Sequence, residues 1–263
     1  MIQGTYYKEW SSVLNREMEF KVYGSAGVPV LALPARGGRF YDWENNGMSE
    51  AVASLLHAGK VQLFCADSID GESLLAGNSA PRRRAEMQEK YFLYLTTELA
   101  PHILALTADK PKAEADEKAA KAASTPVLWC AGVDTGAYQA INCRLRRPEL
   151  FAGAIGLSGL YDMSRFMGSE ADDLILRNSP LNALAEKGIY NAAALAKAEE
   201  NSLLLCAGQG AYEDDARADT EALQAALEAA ALPCHVELWG NDVSHDWYWW
   251  GKELGMFAQR IFG

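Results

Sequence analysis

Three things are missing from this chain of 263 residues: a long apolar run, an excess of basic charge, and any cluster of residues with metal-ligand spacing. No stretch reaches the ~18 consecutive apolar residues that a membrane-spanning helix needs. Lys and Arg number 24 against 35 Asp and Glu, a net charge of −11. A surface of that sign repels polyphosphate backbones and anionic headgroups, so no nucleic acid and no membrane is expected as a general partner. The polar and aromatic first ten residues lack a basic segment followed by an apolar core, so no secretory signal is expected there. The five cysteines (Cys65, Cys130, Cys143, Cys206, Cys234) are odd in number and widely spaced, with no CxxC pair. They read as reduced core thiols of a cytoplasmic protein. The four histidines (His57, His102, His235, His245) are scattered without HExxH spacing, so neither a metal nor any other cofactor is expected.

What is present is an ordinary globular composition, 49% hydrophobic and 22% charged. Short apolar runs at 18–23, 29–33, 61–66, 127–131, 154–157, 203–207 and 235–239 read as strands. Several are apolar at nearly every position, as in a parallel sheet covered on both faces. Helical patterns lie between them at 48–57, 83–106, 136–146, 220–231 and 246–262. This alternation predicts an α/β fold, a mostly parallel central sheet flanked by helices, built as one domain over 1–263. Residues 108–124, rich in Ala, Lys, Glu and Asp, lack an apolar stripe and read as a solvated insert. Residues 165–201 are irregular and suit a small cap excursion over one end of the sheet.

The segment VLWCAGVDTGAYQA carries the most chemical information. An apolar strand runs into Gly132-Val133-Asp134-Thr135-Gly136, and a helix follows. This is the context of a nucleophile elbow, in which glycines two positions either side permit a sharp turn. The turn lifts the central side chain above the sheet, beside helix N-terminal amides that favour negative charge. Asp is also a common turn residue, so Asp134 has a purely structural reading as well.

With GGRFYDWENNGM (37–48), CADSIDGES (65–73), LSGLYD (157–162), NSPL (178–181), GQGAYEDD (208–215) and WGNDVSHDWYWW (239–250), the elbow resembles the esterase family of α/β-hydrolases. That family includes esterase D-like enzymes and mycolyltransferase-like proteins. The resemblance runs from about Tyr6 to the end, except over the Ala/Lys/Glu insert. It implies an α/β-hydrolase fold, a small-molecule ester-like substrate, and a triad in the order nucleophile, acid, histidine. His245 falls on the histidine, and the acid is Glu213, with Asp214 as the alternative. An oxyanion hole is implied from the amide of Thr135 and one from the loop after strand 29–33, Gly37 being chosen and Arg36 left open beside it.

Where the family has serine, this chain has Asp134. A carboxylate is already ionised near neutral pH, and its attack on an ester carbonyl would give an anhydride. Serine-esterase activity is therefore expected to be lost or altered. Two alternatives stand beside this reading. One is an Asp nucleophile attacking an alkyl carbon, as in haloalkane dehalogenase-like and epoxide hydrolase-like relatives of the fold. The other is a non-catalytic binding protein on the esterase scaffold. The sequence does not give the oligomeric state.

Other conspicuous residues have plain readings. His57, His102 and His235 read as structural. Trp247 and Trp250 share a helical face with Leu254, which indicates core packing. Tyr138 is expected to pack beneath the elbow. Arg82-Arg83-Arg84 reads as a solvated helix start, with an anionic substrate group as the sharper alternative.

Overall fold

The computed structural model describes residues 2–108, 128–168, 172–185, 190, 195 and 202–263. Its strands are β1 (Thr5–Ser11), β2 (Arg16–Tyr23), β3 (Val28–Leu33), β4 (Val61–Ala66), β5 (Leu128–Val133), β6 (Phe151–Leu157), β7 (Leu203–Ala207) and β8 (His235–Leu238). They form one sheet in the order β1-β2-β4-β3-β5-β6-β7-β8. The pairs β1/β2 and β2/β4 are antiparallel and every other pair is parallel. The strand order turns back between β3 and β5, and the carboxyl ends of the strands at such a reversal are the usual ligand position in these sheets.

Burial on both faces explains why the central strands are so apolar. Along β3, Leu31 and Leu33 enter one core layer while Val30 and Ala32 enter the other. Along β7, Leu203 and Leu205 face the first layer and Leu204 and Cys206 the second. The first layer is closed by α4 (Pro81–Leu93), α5 (Ala100–Ala108), α6 (Thr135–Arg146) and α10 (Asp214–Ala229). The second is closed by α1 (Asp42–Asn45), α2 (Met48–Ala51), α3 (Ala53–His57) and α11 (Trp247–Phe262). All five cysteines are free. Among the described residues no helix is long and apolar enough to cross a membrane.

Four departures from the expected elements bear on the architecture. The first strand, β1, was not anticipated. It lies at the sheet edge with four of its seven residues exposed and polar residues on both faces, so it lacks the apolar alternation of a half-buried strand. The single helix expected over 48–57 is two short ones, broken at Val52 with φ −113° and ψ 15°. The stretch expected at 83–106 passes through a π-helical turn at Tyr94–Leu99. Pro101 follows that turn, and a proline there removes an amide donor and crowds the carbonyl four residues back. The helix expected from 220 begins at Asp214, where Asp214 and Asp215 suit the positive end of the helix dipole.

Apart from Ala108 at the end of α5, the expected insert 108–124 lies outside the described residues. Within 165–201 the described parts include α7 (Ser164–Met167), α8 (Asp173–Arg177) and α9 (Pro180–Ala185). The arginine run at 82–84 braces this region. Arg82 pairs with Asp172 at 2.5 Å, and Arg84 donates to the carbonyls of Phe166, Gly77 and Ser79 at 2.7, 2.8 and 3.1 Å.

Candidate active site

The turn between β5 and α6 is built by its glycines. Asp134 has φ 53° and ψ −121°, a strained conformation for a residue with a side chain, and its amide donates to the Leu157 carbonyl at 3.0 Å. A Cβ on Gly132 would lie 2.1 Å from the Gly136 carbonyl oxygen, and one on Gly136 would lie 2.3 Å from that of Pro34. Both obstacles are backbone, which cannot swing aside. Gly132→Ala and Gly136→Ala are each expected to destabilise the protein by about 2–4 kcal/mol, read as a lower urea midpoint at unchanged m. A midpoint equal to the parent's would show that the turn is looser than its geometry.

Three positively polarised groups surround the Asp134 carboxylate. Its Oδ2 accepts from the Arg36 amide at 3.1 Å, and its Oδ1 from the Arg36 guanidinium at 3.2 Å. The His245 Nε2 stands 3.8 Å from Oδ1. On the far side of the ring, Nδ1 lies 3.4 Å from Oε1 of Glu213. The loops carrying these two residues are tied together, because the His245 amide donates to the Ala211 carbonyl at 3.0 Å and Gly210 to that of Val243 at 2.8 Å.

The charges follow from this placement. Burial pushes the Asp134 carboxyl up, but the neighbouring His245 and the charge of Arg36 outweigh it and hold the group below the usual carboxylate range. Burial likewise pulls the His245 imidazole down, and Asp134 and Glu213 on either side overcome this and raise it to about 9. The two shifts favour an ionised Asp134 facing a protonated His245, with the Arg36 guanidinium beside the pair.

The structure brings Asp134, His245 and Glu213 together. Asp214, the alternative acid, is exposed in the first turn of α10, whereas Glu213 is fully buried. Of the two amides left open in the loop after β3, Arg36 faces the elbow. The Gly37 amide is taken by the buried Asp70, at 3.1 Å from Oδ2, because the left-handed turn at Gly37 aims it away. The Thr135 hydroxyl donates to the same Asp70 oxygen at 2.9 Å, so it also points away from the Asp134 carboxylate. Tyr138 packs beneath the elbow and donates to the Asn178 carbonyl at 2.8 Å. Asp246 caps α11, accepting from the amides of Tyr248 and Trp249.

Sequence reasoning missed four participants: the Arg36 side chain, Asp70, Ser158 and Glu253. Asp70 and Ser158 sit in quoted motifs but reach the site across the fold. Glu253 had a signal, since it lies three residues after Trp250 on the buried stripe of α11. Among the described residues, no group of three His, Cys, Asp or Glu side chains has metal-holding geometry.

No family model matches the chain, and no curated protein does. Solved structures do. A ferulic acid esterase is 16% identical with a TM-score of 0.68, 99% of each chain being covered. The S-formylglutathione hydrolase FrmB of Staphylococcus aureus is 13% identical with a TM-score of 0.67, all of both chains being covered. MPT51 of Mycobacterium tuberculosis is 15% identical with a TM-score of 0.69, covering 100% of this chain and 99% of that one. At these identities the likeness is one of architecture. The chain has the α/β-hydrolase fold, an eight-stranded, mostly parallel sheet, and ester hydrolases are among its structural neighbours.

Proposed function

We propose that this protein is an esterase-scaffold α/β-hydrolase in which Asp134 stands where a serine nucleophile would act, so that serine-type ester hydrolysis is lost and binding of a small ester-like or carboxylate ligand remains. One observation carries the reading. The Asp134 carboxylate sits on the Arg36 amide, a donor that would otherwise be open to a substrate oxyanion. The side chain thus fills the position that catalysis needs vacant. A second obstacle is His245, which carries a proton at neutral pH and cannot accept another from water or an alcohol.

In chemical terms, an ester carbonyl entering this site meets no hydroxyl nucleophile and no free base. The Arg36 guanidinium, half exposed and 5.8 Å from the Phe166 ring, remains available at the mouth for an anionic ligand group. The expected result is a rate of p-nitrophenyl butyrate hydrolysis by the parent protein equal to that of His245→Gln. A parent rate ten-fold or more above that variant would overturn the loss of ester chemistry.

A second reading draws on the ionised state of Asp134. An ionised carboxylate on an elbow is able to displace a leaving group from an alkyl carbon, and a histidine then activates water against the resulting ester. Intact-mass measurement of His245→Gln with a haloalkane and epoxide panel separates the two readings. A stable adduct on Asp134 would favour the alkyl-carbon hydrolase, and an unmodified protein supports the non-acylating one.

A further inference from the structure

Behind the Glu213–His245 pair lies a second row of buried polar groups that the proposed chemistry does not use. Ser158 follows the end of β6 and is fully buried, with φ 46°. Positive φ is uncommon for serine and costs energy, so something must hold it there. Its amide donates to the Cys206 carbonyl at 2.7 Å, which pins the turn to β7. Its hydroxyl donates to Glu213 Oε1 at 2.6 Å and accepts from the Trp250 indole at 2.9 Å. The Glu213 oxygen involved is the one that faces His245 Nδ1.

Trp250 touches the pair a second time. Its ring stands edge-on to the His245 imidazole, with centroids 4.9 Å apart at 85°, and Trp247 supports it from behind at 5.1 Å and 79°. The loop after Ser158 is itself fastened to α10, the helix that Glu213 precedes. Asp219 on that helix accepts from the amides of Tyr161 and Asp162 at 2.8 and 2.9 Å and pairs with Arg165 at 2.6 Å. Ser158, Glu213 and His245 are therefore held in one frame by β6, α10 and α11.

We propose that Ser158 and Trp250 are positioning residues that hold the Glu213 carboxylate against the His245 imidazole. The indole fixes the direction of the serine hydroxyl, and the hydroxyl fixes the carboxylate's rotation about its last bond. Without that hydroxyl, nothing else among the described residues donates to Oε1, and the carboxylate is free to turn away from Nδ1. The inference rests on the proposed site only through the Glu213–His245 pairing and needs no turnover.

The test is an NMR titration of the His245 ring protons, assigned by their loss in His245→Gln. The charged and titratable groups facing this ring are Asp134 on the elbow, with Arg36 beyond it, Glu213 before α10, and Glu253 on α11. Ser158→Ala and Ser158→Gly are each expected to lower the His245 midpoint by about one pH unit or more, because Glu213 no longer stabilises the imidazolium. Glycine accepts φ 46° without strain, so Ser158→Gly stays folded if alanine does not. Trp250→Phe keeps a ring and removes the indole donor, and it is expected to shift the midpoint in the same direction by less. Adding it to Ser158→Ala is expected to shift the midpoint by less than the sum of the two single changes, since the indole N–H acts through the serine hydroxyl. An unchanged or raised midpoint in folded Ser158→Gly would overturn the proposal. The titration compares variants that all keep Asp134 and needs no turnover, so failure here is distinct from failure of the proposed function.

Discussion

Asp134→Ser is expected to raise hydrolysis of p-nitrophenyl acetate and butyrate by about 10²–10⁴-fold over the parent protein. Three changes act together. The carboxylate leaves the Arg36 amide, which then becomes available to an oxyanion. A hydroxyl appears at the crest of the elbow, and the strained backbone there keeps it raised toward His245. His245 also loses one of the two anions that raise it to about 9, so its proton is released nearer neutral pH and it becomes a base. Glu213 remains on Nδ1 to orient the ring. A general base is worth about 10²–10⁴-fold and one oxyanion donor about 10²–10³-fold, so the lower figure requires only part of the machinery to be intact.

Asp134→Ala is the control for this result. It opens the same amide and relieves the same charge but supplies no nucleophile. If alanine and serine give equal rates, the remaining groups do not form an acyl-transfer site, and the scaffold's likeness to ester hydrolases is one of shape alone. The pH profile adds a second check. The serine variant's rate should rise through the midpoint of a histidine that has moved down from about 9, whereas a rate independent of pH between 6 and 9 would point to catalysis without His245.

Much of this architecture is legible in the sequence, and the parts that are not share a physical cause. The apolar runs of β4 and β7 coincide with their expected bounds, because burial on both faces makes every position but Gln62 apolar. The elbow is legible because its glycines answer to close backbone approach within a few residues. His245 and Glu213 are nominated through a family resemblance, and the structure places them on either side of one contact. Arg36 reads from the sequence only as a backbone amide, since nothing local says where a guanidinium will reach. Asp70 and Ser158 act across 65 and 55 residues of chain, on Thr135 and Glu213 respectively, and short polar side chains give no periodic signal. The edge strand β1 is not legible in the sequence because solvent on its outer side removes the alternation that marks a strand.

Glu253 is the residue whose removal should most increase stability. It lies on α11 fully buried, with the weak Cys206 thiol as its hydrogen-bonding neighbour. Burial raises its carboxyl from the usual carboxylate range, and the neighbouring Glu213 charge adds to the effect, bringing it to about 8. Below pH ~4.5 both folded and unfolded chains keep this proton, so the residue has no effect on the balance. Between pH ~4.5 and about 8 the unfolded chain releases the proton while the folded protein retains it, so stability falls as pH rises. Each unit of displacement corresponds to ~1.4 kcal/mol, which caps the loss near 5 kcal/mol, and relaxation around the group reduces it to about 2–4 kcal/mol. Glu253→Met, similar in volume and without a charge, is therefore expected to unfold at higher urea than the parent at pH 8 and at nearly the same urea at pH 4.5. Glu253→Gln removes the same ionisation but leaves an unpartnered amide, so its gain should be smaller. The shape of the difference is the decisive feature, because better packing alone would stabilise equally at both pH values. A gain of equal size at pH 4.5 and 8 would assign the effect to packing alone, and no gain at pH 8 would mean that Glu253 is ionised in the folded protein, with a compensating partner for its charge.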